Sequence, residues 1–340
     1  MPLPNALQSR AKIGLAVAKA FIGLGLLALL FRQIGTDAVT RVLAGTNIGQ
    51  FLIACAFMAA GVAIQGLRWK IIADQLGAPL AIGAALVGMA ESMFFNQILP
   101  SGVGGDALRA VRAYDEGARP GQAVLGVLLD RAFGLWFIAA VALFATIAGG
   151  SRILSSTPWH LMAAVSAIIF AGAVGAAVIG RLIRDRGLPK WLQPIGALLM
   201  AFATAVGNAR LLLAVTGTMV ASMLLFALSL DRCAAALSLS PTLWDITLVL
   251  QGMMLASIVP LSIGGWGWRE GAAVLLFTAG GIGAAEAAGL SILFGLASTV
   301  LGLVGAVVWM GTGYRRFAWR DGLAAIRQVR PGDGPESRSG

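Results

Sequence analysis

Ile246-Thr-Leu-Val-Leu-Gln-Gly-Met-Met-Leu-Ala-Ser-Ile-Val-Pro260-Leu-Ser-Ile-Gly264-Gly265-Trp-Gly-Trp268 runs without a single charge. At a rise of about 1.5 Å per residue it is long enough to cross a ~30 Å hydrocarbon core. It also carries its own interruption. Proline removes a backbone donor, and paired glycines let the chain turn where side chains would collide. The stretch therefore reads as membrane-embedded and broken. Three more uncharged runs, Leu161 to Gly180, Leu211 to Leu230 and Ala287 to Tyr314, are also long enough to span. Of 340 residues, 58% are hydrophobic and 12% charged, against roughly a quarter charged in soluble domains. Mean hydropathy is +0.86. This composition describes a polytopic, all-α membrane bundle.

Spans are expected near Ile13–Phe31, Ile48–Gly66, Gly121–Gly149, Leu161–Gly180, Arg210–Leu230 and Ala287–Thr312. Leu80–Leu99, Thr242–Val259 and Gly271–Gly283 are shorter or carry polar residues, and read as half-helices or re-entrant segments. Residues 1–312 then form one membrane domain, and residues 313–340 a basic, disordered cytoplasmic tail. Arg10 and Lys12 precede the first apolar run, but no small-residue cleavage site follows it, so that run is expected to stay as a helix. An inside N-terminus leaves only Arg32, Arg41, Arg152, Arg232 and Arg269 of the 25 basic residues in outer loops. Both termini are thus expected in the cytoplasm. Trp69, Trp159, Trp191, Trp244, Trp266, Trp268 and Trp319 fall near expected span ends, where the indole suits the headgroup zone.

Several function classes drop out. Cys55 and Cys233 are far apart and form neither a metal motif nor a disulfide framework. His160 is the only histidine, which excludes metallohydrolases that need several, and it reads as an interface residue. The net charge of +10 has no aromatic-basic surface beside it, so positive-inside topology explains it better than nucleic acid. Gly-Lys-Ser/Thr never occurs, so no P-loop is present. No metal and no cofactor is expected.

The strongest signal is internal. Pro100-Ser-Gly-Val-Gly104-Gly105-Asp-Ala-Leu-Arg109 matches Pro260-Leu-Ser-Ile-Gly264-Gly265-Trp-Gly-Trp-Arg269, displaced by 160 positions. Phe133-Gly134-Leu135 matches Phe294-Gly295-Leu296, and Arg68 with Leu76-Gly-Ala-Pro-Leu80 resembles Arg232 with Leu239-Ser-Pro-Thr-Leu243. Repeat units of about 48–149 and 210–312 follow. The first motif comes after a helix expected to run inward and the second after one running outward, so the units should be inverted. Pro100 and Pro260 would mark broken-helix turns. Amides freed near Gly104, Gly105, Gly264 and Gly265 could bind an anion, with Arg109 and Arg269 supplying charge. The other explanation of the glycines is close helix packing.

Three further charges call for an account. Glu91 lies inside Leu80–Leu99, with Asn96 and Gln97 beyond it. Such a carboxylate is costly in a membrane unless it finds a partner, a cavity or a proton; either it lines a hydrophilic cavity, or its segment is shallow and it sits in water. Asp130-Arg131 interrupts Gly121–Gly149 and must pair if deep, or snorkel if near the interface. Glu91, Asp130 and Arg131 are candidates for proton or ion coupling. Arg109 and Arg112 are spaced i, i+3 and share a helical face. Guanidinium suits bidentate phosphate binding, while simple positive-inside anchoring explains Arg112 equally well.

Asn96-Gln-Ile-Leu-Pro100, Gly104-Gly105-Asp106, Arg109, Asp130-Arg131, Ile258-Val-Pro260-Leu-Ser-Ile-Gly264-Gly265 and Arg269-Glu270-Gly271 together resemble the lysylphosphatidylglycerol synthase transmembrane-region family, whose members are also described as flippase-like. The resemblance covers roughly Ala11 to Thr312. It implies a bacterial cytoplasmic-membrane protein that moves a lipid between leaflets, with Asn96, Asp106 and Glu270 joining the glycines and arginines at the lipid-phosphate site. The soluble aminoacyl-transfer domain of the full-length enzymes has no counterpart here, so aminoacyl transfer is not expected. Three functions follow in order: a lipid translocator, a non-catalytic partner of a lipid-synthesis complex, and a membrane enzyme acting on a head group. The expected partners are a membrane lipid and lipid-biosynthesis enzymes. Lipid, direction, coupling ion and oligomeric state are not encoded in any motif.

Overall fold

A computed structural model describes residues 36–98, 103–184, 188–189, 191–258 and 267–312. Pro100, Pro260, Gly264, Gly265, the expected span Ile13–Phe31 and residues 313–340 lie outside the described residues. The described chain forms α1 Thr36–Ala44, α2 Ile48–Gln75, α3 Ile82–Ile98, α4 Val103–Asp115, α5 Pro120–Ala148, α6 Thr157–Leu182, α7 Gln193–Gly207, α8 Ala209–Ala236, α9 Leu243–Ile258, α10 Trp268–Ala279 and α11 Ala284–Gly311. A short 3₁₀ turn, Arg152–Ser155, joins α5 to α6, and no strand occurs among the described residues.

Local chemistry sets the helix starts. Asn47 accepts the Gln50 N–H at 3.1 Å to cap α2, and Asn208 accepts the Leu211 N–H at 3.2 Å to cap α8. Pro120 and Pro158 occupy the first turns of α5 and α6, where a missing N–H costs no hydrogen bond. Five helices, α2, α5, α6, α8 and α11, are long and apolar enough to cross a membrane. The chain is a polytopic helical membrane protein.

Two differences from the sequence expectation have physical causes. α2 continues nine residues past Gly66, because Arg68 finds a carboxylate inside the protein and Lys70 pairs with Asp74 one turn on. α7 was not anticipated: its 15 residues are too few to stand out as a span, yet they pack on α6 so closely that a methyl group on Gly180 would come within 2.1 Å of the Leu199 carbonyl oxygen. Trp69 and Trp159 are fully buried in protein, and the Trp159 indole donates to Thr146 at 3.1 Å.

Two sets of four helices have similar lengths. α2 to α5 contain 28, 17, 13 and 29 residues, and α8 to α11 contain 28, 16, 12 and 28. In each set the second helix stops and the third begins around the proline-glycine motif. The leading helices of the two sets, α2 and α8, lie antiparallel. Asn47 N–H donates to the Ala236 carbonyl at 2.8 Å, Ser229 Oγ donates to the Ala54 carbonyl at 2.8 Å, and Gly61 faces the Phe226 ring. α3 and α11 are antiparallel too: Gly305 lies on the Ala90 backbone, and Gln97 Nε2 donates to Ser298 Oγ at 2.9 Å.

The expected inversion would put equivalent positions of the two repeats on opposite sides of the membrane. Gly45 and Gly207, just before α2 and α8, are exposed and have room for a side chain. In a background lacking Cys55 and Cys233, an impermeant maleimide should label Gly45→Cys in intact cells and Gly207→Cys only after permeabilisation. Labelling of both from one side would contradict the inverted arrangement.

Candidate functional site

The site is assembled where the short helices α3 and α4 pack closely. Gly105 N–H donates to Asn96 Oδ1 at 3.1 Å, and Ser92 Oγ donates to the Gly88 and Gly105 carbonyls at 2.6 and 3.0 Å. A methyl group on Gly105 would lie 2.5 Å from Asn96 Oδ1 and 2.7 Å from the Ser92 carbonyl oxygen, so only glycine lets α4 approach α3 this closely. Gly104 beside it is buried. Asn96 and Gly105 therefore position α4, and α4 presents Asp106, Arg109 and Arg112.

Arg109 reaches the centre of the site. Its Nη2 donates to Asp130 Oδ2 at 2.7 Å, and Arg68 Nε from α2 donates to Asp130 Oδ1 at 2.6 Å. Asp130 is thus clamped by two guanidinium groups and is 2% exposed. Arg109 also lies 4.8 Å from the centroid of the Trp69 ring, a cation–π distance, and touches Asp106 at 3.5 Å. Asp106 bridges outward to Arg131, accepting from its Nε at 2.8 Å and its Nη2 at 2.9 Å. Arg131 is the exposed end of this chain of charges, with 55% of its side chain accessible.

A second pair stands one turn along α4. Arg112 grips Glu91 through Nε–Oε2 at 3.1 Å and Nη2–Oε1 at 2.7 Å, and the Thr312 hydroxyl donates to Glu91 Oε1 at 3.0 Å. Glu91 is fully buried, so its carboxylate is held by an arginine and not by water. Together Arg68, Arg109, Arg112 and Arg131 face Asp106, Asp130 and Glu91: four positive charges against three negative. Arg109 Nε and Trp69 Nε1 are both enclosed without a hydrogen-bond partner among the described residues. The one positive charge in excess is Arg131 at the exposed edge, and the idle interior donors beside it suit an anionic oxygen.

The second repeat is chemically different. Arg269 pairs with its neighbour Glu270 (Nη2–Oε1 2.6 Å), and Glu270 Oε2 accepts the Gly267 N–H at 2.6 Å at the start of α10. Under the 160-residue displacement of the motif, Gln251 stands where Glu91 does; with the Phe-Gly-Leu triplets in register, Ser291 replaces Asp130, while Arg232, the match of Arg68, pairs with its neighbour Asp231. The two buried carboxylates of the first repeat thus have neutral counterparts in the second. Gln251 Oε1 and Ser291 Oγ are buried with no partner among the described residues.

The structure therefore brings Arg109, Asp106, Asp130 and Arg131 into one network, sets Asn96, Gly104 and Gly105 at its edge, places Glu91 beside it with Arg112, and keeps Arg269 with Glu270. Sequence reasoning did not place Arg68 or Trp69 in the site. Asp130 is 62 positions from Arg68, beyond any local spacing rule; the usable signal was that each of two opposite charges in long apolar helices needed a partner. Among the described residues, no group of three or more His, Cys, Asp or Glu side chains is placed to hold a metal.

Residues 13–331 match the family described as the lysylphosphatidylglycerol synthase TM region. The chain is also similar to a UPF0104 membrane protein of Methanothermobacter thermautotrophicus, 25% identical over 332 residues, covering 87% of this chain and 92% of the relative.

Proposed function

The chain belongs to the lysylphosphatidylglycerol synthase TM region family, and from that premise we propose that it moves an anionic, phosphate-bearing lipid between the leaflets of the membrane and carries out no chemical step itself. The observation that carries the proposal is the buried guanidinium of Arg109, 3% exposed, stacked on Trp69, paired to Asp130 on one side and with Nε idle on the other. A guanidinium offers planar paired donors to phosphate. Interior charge of this kind is retained in membranes where it serves a substrate or ion path.

The inverted repeat supplies the means of movement. Helices interrupted at equivalent points of two antiparallel units can expose a central site to one side and then the other. Arg109 takes the phosphate from one leaflet, and Arg269 from the other. Gly104 and Gly105 keep the start of α4 close to the head group, and Gly264 and Gly265 are assigned the same role in the second repeat. Asp130 and Asp106 are the resident anions that the phosphate displaces, and Arg131 is the first charge met from outside the cluster. Glu91, Asp130 and Arg131 are the candidates for ion coupling. We place the chain in the cytoplasmic membrane with both termini in the cytoplasm.

The test is reconstitution. Purified protein in phosphatidylcholine vesicles doped with fluorescent phosphatidylglycerol should bring inner-leaflet probe within reach of an external quencher. Protein-free vesicles should not. No movement of any phosphate-bearing lipid above that baseline would favour instead a partner that scaffolds lipid synthesis.

A further inference from the structure

α5 carries a second feature next to the charged cluster. Phe133, Trp136, Phe137, Ala140, Val141 and Phe144 line an apolar groove of about 260 Å³, closed on its other side by Thr216 and Met219 of α8. We propose that this groove seats one acyl chain of the translocated lipid, with the phosphate lying toward Asp130 and its arginines. Two observations support that occupant. First, Asp130, Phe133, Phe137, Ala140 and Phe144 follow one another at helical spacing on one face of α5, so the groove begins one turn from the cluster. From Phe133 to Phe144 the helix rises about 16 Å, close to half of a ~30 Å hydrocarbon core and therefore to the depth of one leaflet.

Second, the wall of the groove holds a polar donor with nothing to donate to. Trp136 Nε1 is enclosed and has no hydrogen-bond partner among the described residues. The ring is fixed by stacking on Phe170 of α6 at 6.1 Å and by edge contact with Phe202 of α7 at 6.0 Å. Trp136 lies about 9 Å along the helix from Asp130, on the path from phosphate to acyl chain. A glycerol ester carbonyl there accepts its N–H.

The excess positive charge at the Asp130 end selects an anionic lipid over a zwitterionic one.

The seat rests on the translocation proposal for its head group, and the two fail separately. The test uses the full chain in phosphatidylcholine vesicles containing phosphatidylglycerol with a diazirine at the end of one acyl chain. Illumination followed by peptide mass spectrometry should concentrate adducts on Val141, Phe144, Thr216 and Met219. Phosphatidylcholine carrying the same diazirine should give fewer. Ala140→Trp, checked for unchanged unfolding, should remove these adducts and slow lipid movement. Trp136→Phe should reduce both about fivefold, as loss of one neutral hydrogen bond requires. Adducts spread evenly over the lipid-facing helices, or equal for the two probes, would overturn the seat. So would native transport in Ala140→Trp. Seat adducts in a native protein that moves no lipid would overturn translocation and leave the seat standing.

Discussion

Glu91→Gln should lower the unfolding temperature of the purified chain more than any other conservative change in α3. The glutamine keeps the shape but cannot neutralise Arg112, whose Nη2 lies 2.7 Å from the carboxylate. Removing one partner of a buried ion pair costs about 3–5 kcal/mol, because the other charge stays buried and uncompensated. Replacing both partners costs much less, so Glu91→Gln with Arg112→Gln should recover most of the loss. Thr312 adds a diagnostic. Its hydroxyl ties the end of α11 to Glu91, so Thr312→Val should weaken the bundle by about 1 kcal/mol, the value of one hydrogen bond. The single glutamine variant unfolding with the native protein would mean that the pair does not hold α3 to α4.

The second large effect is steric. In Gly305→Ala the new methyl would meet the Ala90 carbonyl oxygen at 2.0 Å and its carbon at 2.9 Å, both backbone atoms that cannot rotate away. α11 would have to move off α3, straining the Gln97–Ser298 and Glu91–Thr312 bonds on either side. Overpacking typically costs about 1–3 kcal/mol, and a backbone clash sits at the upper end. Gly134→Ala is the contrasting change. Nothing lies within 4 Å of that position in α5, so the helix gains about 0.5–1 kcal/mol from losing glycine. Thermal unfolding should therefore fall for the first variant and rise slightly for the second. Equal behaviour of the two would contradict the α3–α11 contact.

The long spans were legible because an uncharged run of that length has few other uses. Gly121–Gly149 came within one residue of Pro120–Ala148 at each end, since Pro120 and Gly149 are themselves the boundary signals. α7 was hidden, because Gln193–Gly207 is short and its stability comes from packing on α6 that no local pattern records. The site was legible in part. Arg109 and the glycines declared themselves through repetition, and Asp130 through its cost in an apolar helix. Their partners did not, since Arg68 and Trp69 arrive from α2 by tertiary folding alone. Glu91 illustrates the limit: its sequence offered a cavity or a shallow position in water, and its carboxylate instead meets Arg112 from the next helix.

The claim at the centre of this account is that Arg109 binds the lipid phosphate. The most direct measurement compares fluorescent phosphatidylglycerol movement in vesicles containing native protein, Arg109→Lys or Arg109→Ala, each matched for folded protein. Lysine keeps the charge but loses the planar pair of donors. The account predicts the order native, lysine, alanine, with alanine slowed by about tenfold or more, as loss of a charge-assisted hydrogen bond worth about 1.5–3 kcal/mol requires. Native rates in the folded alanine variant would contradict it.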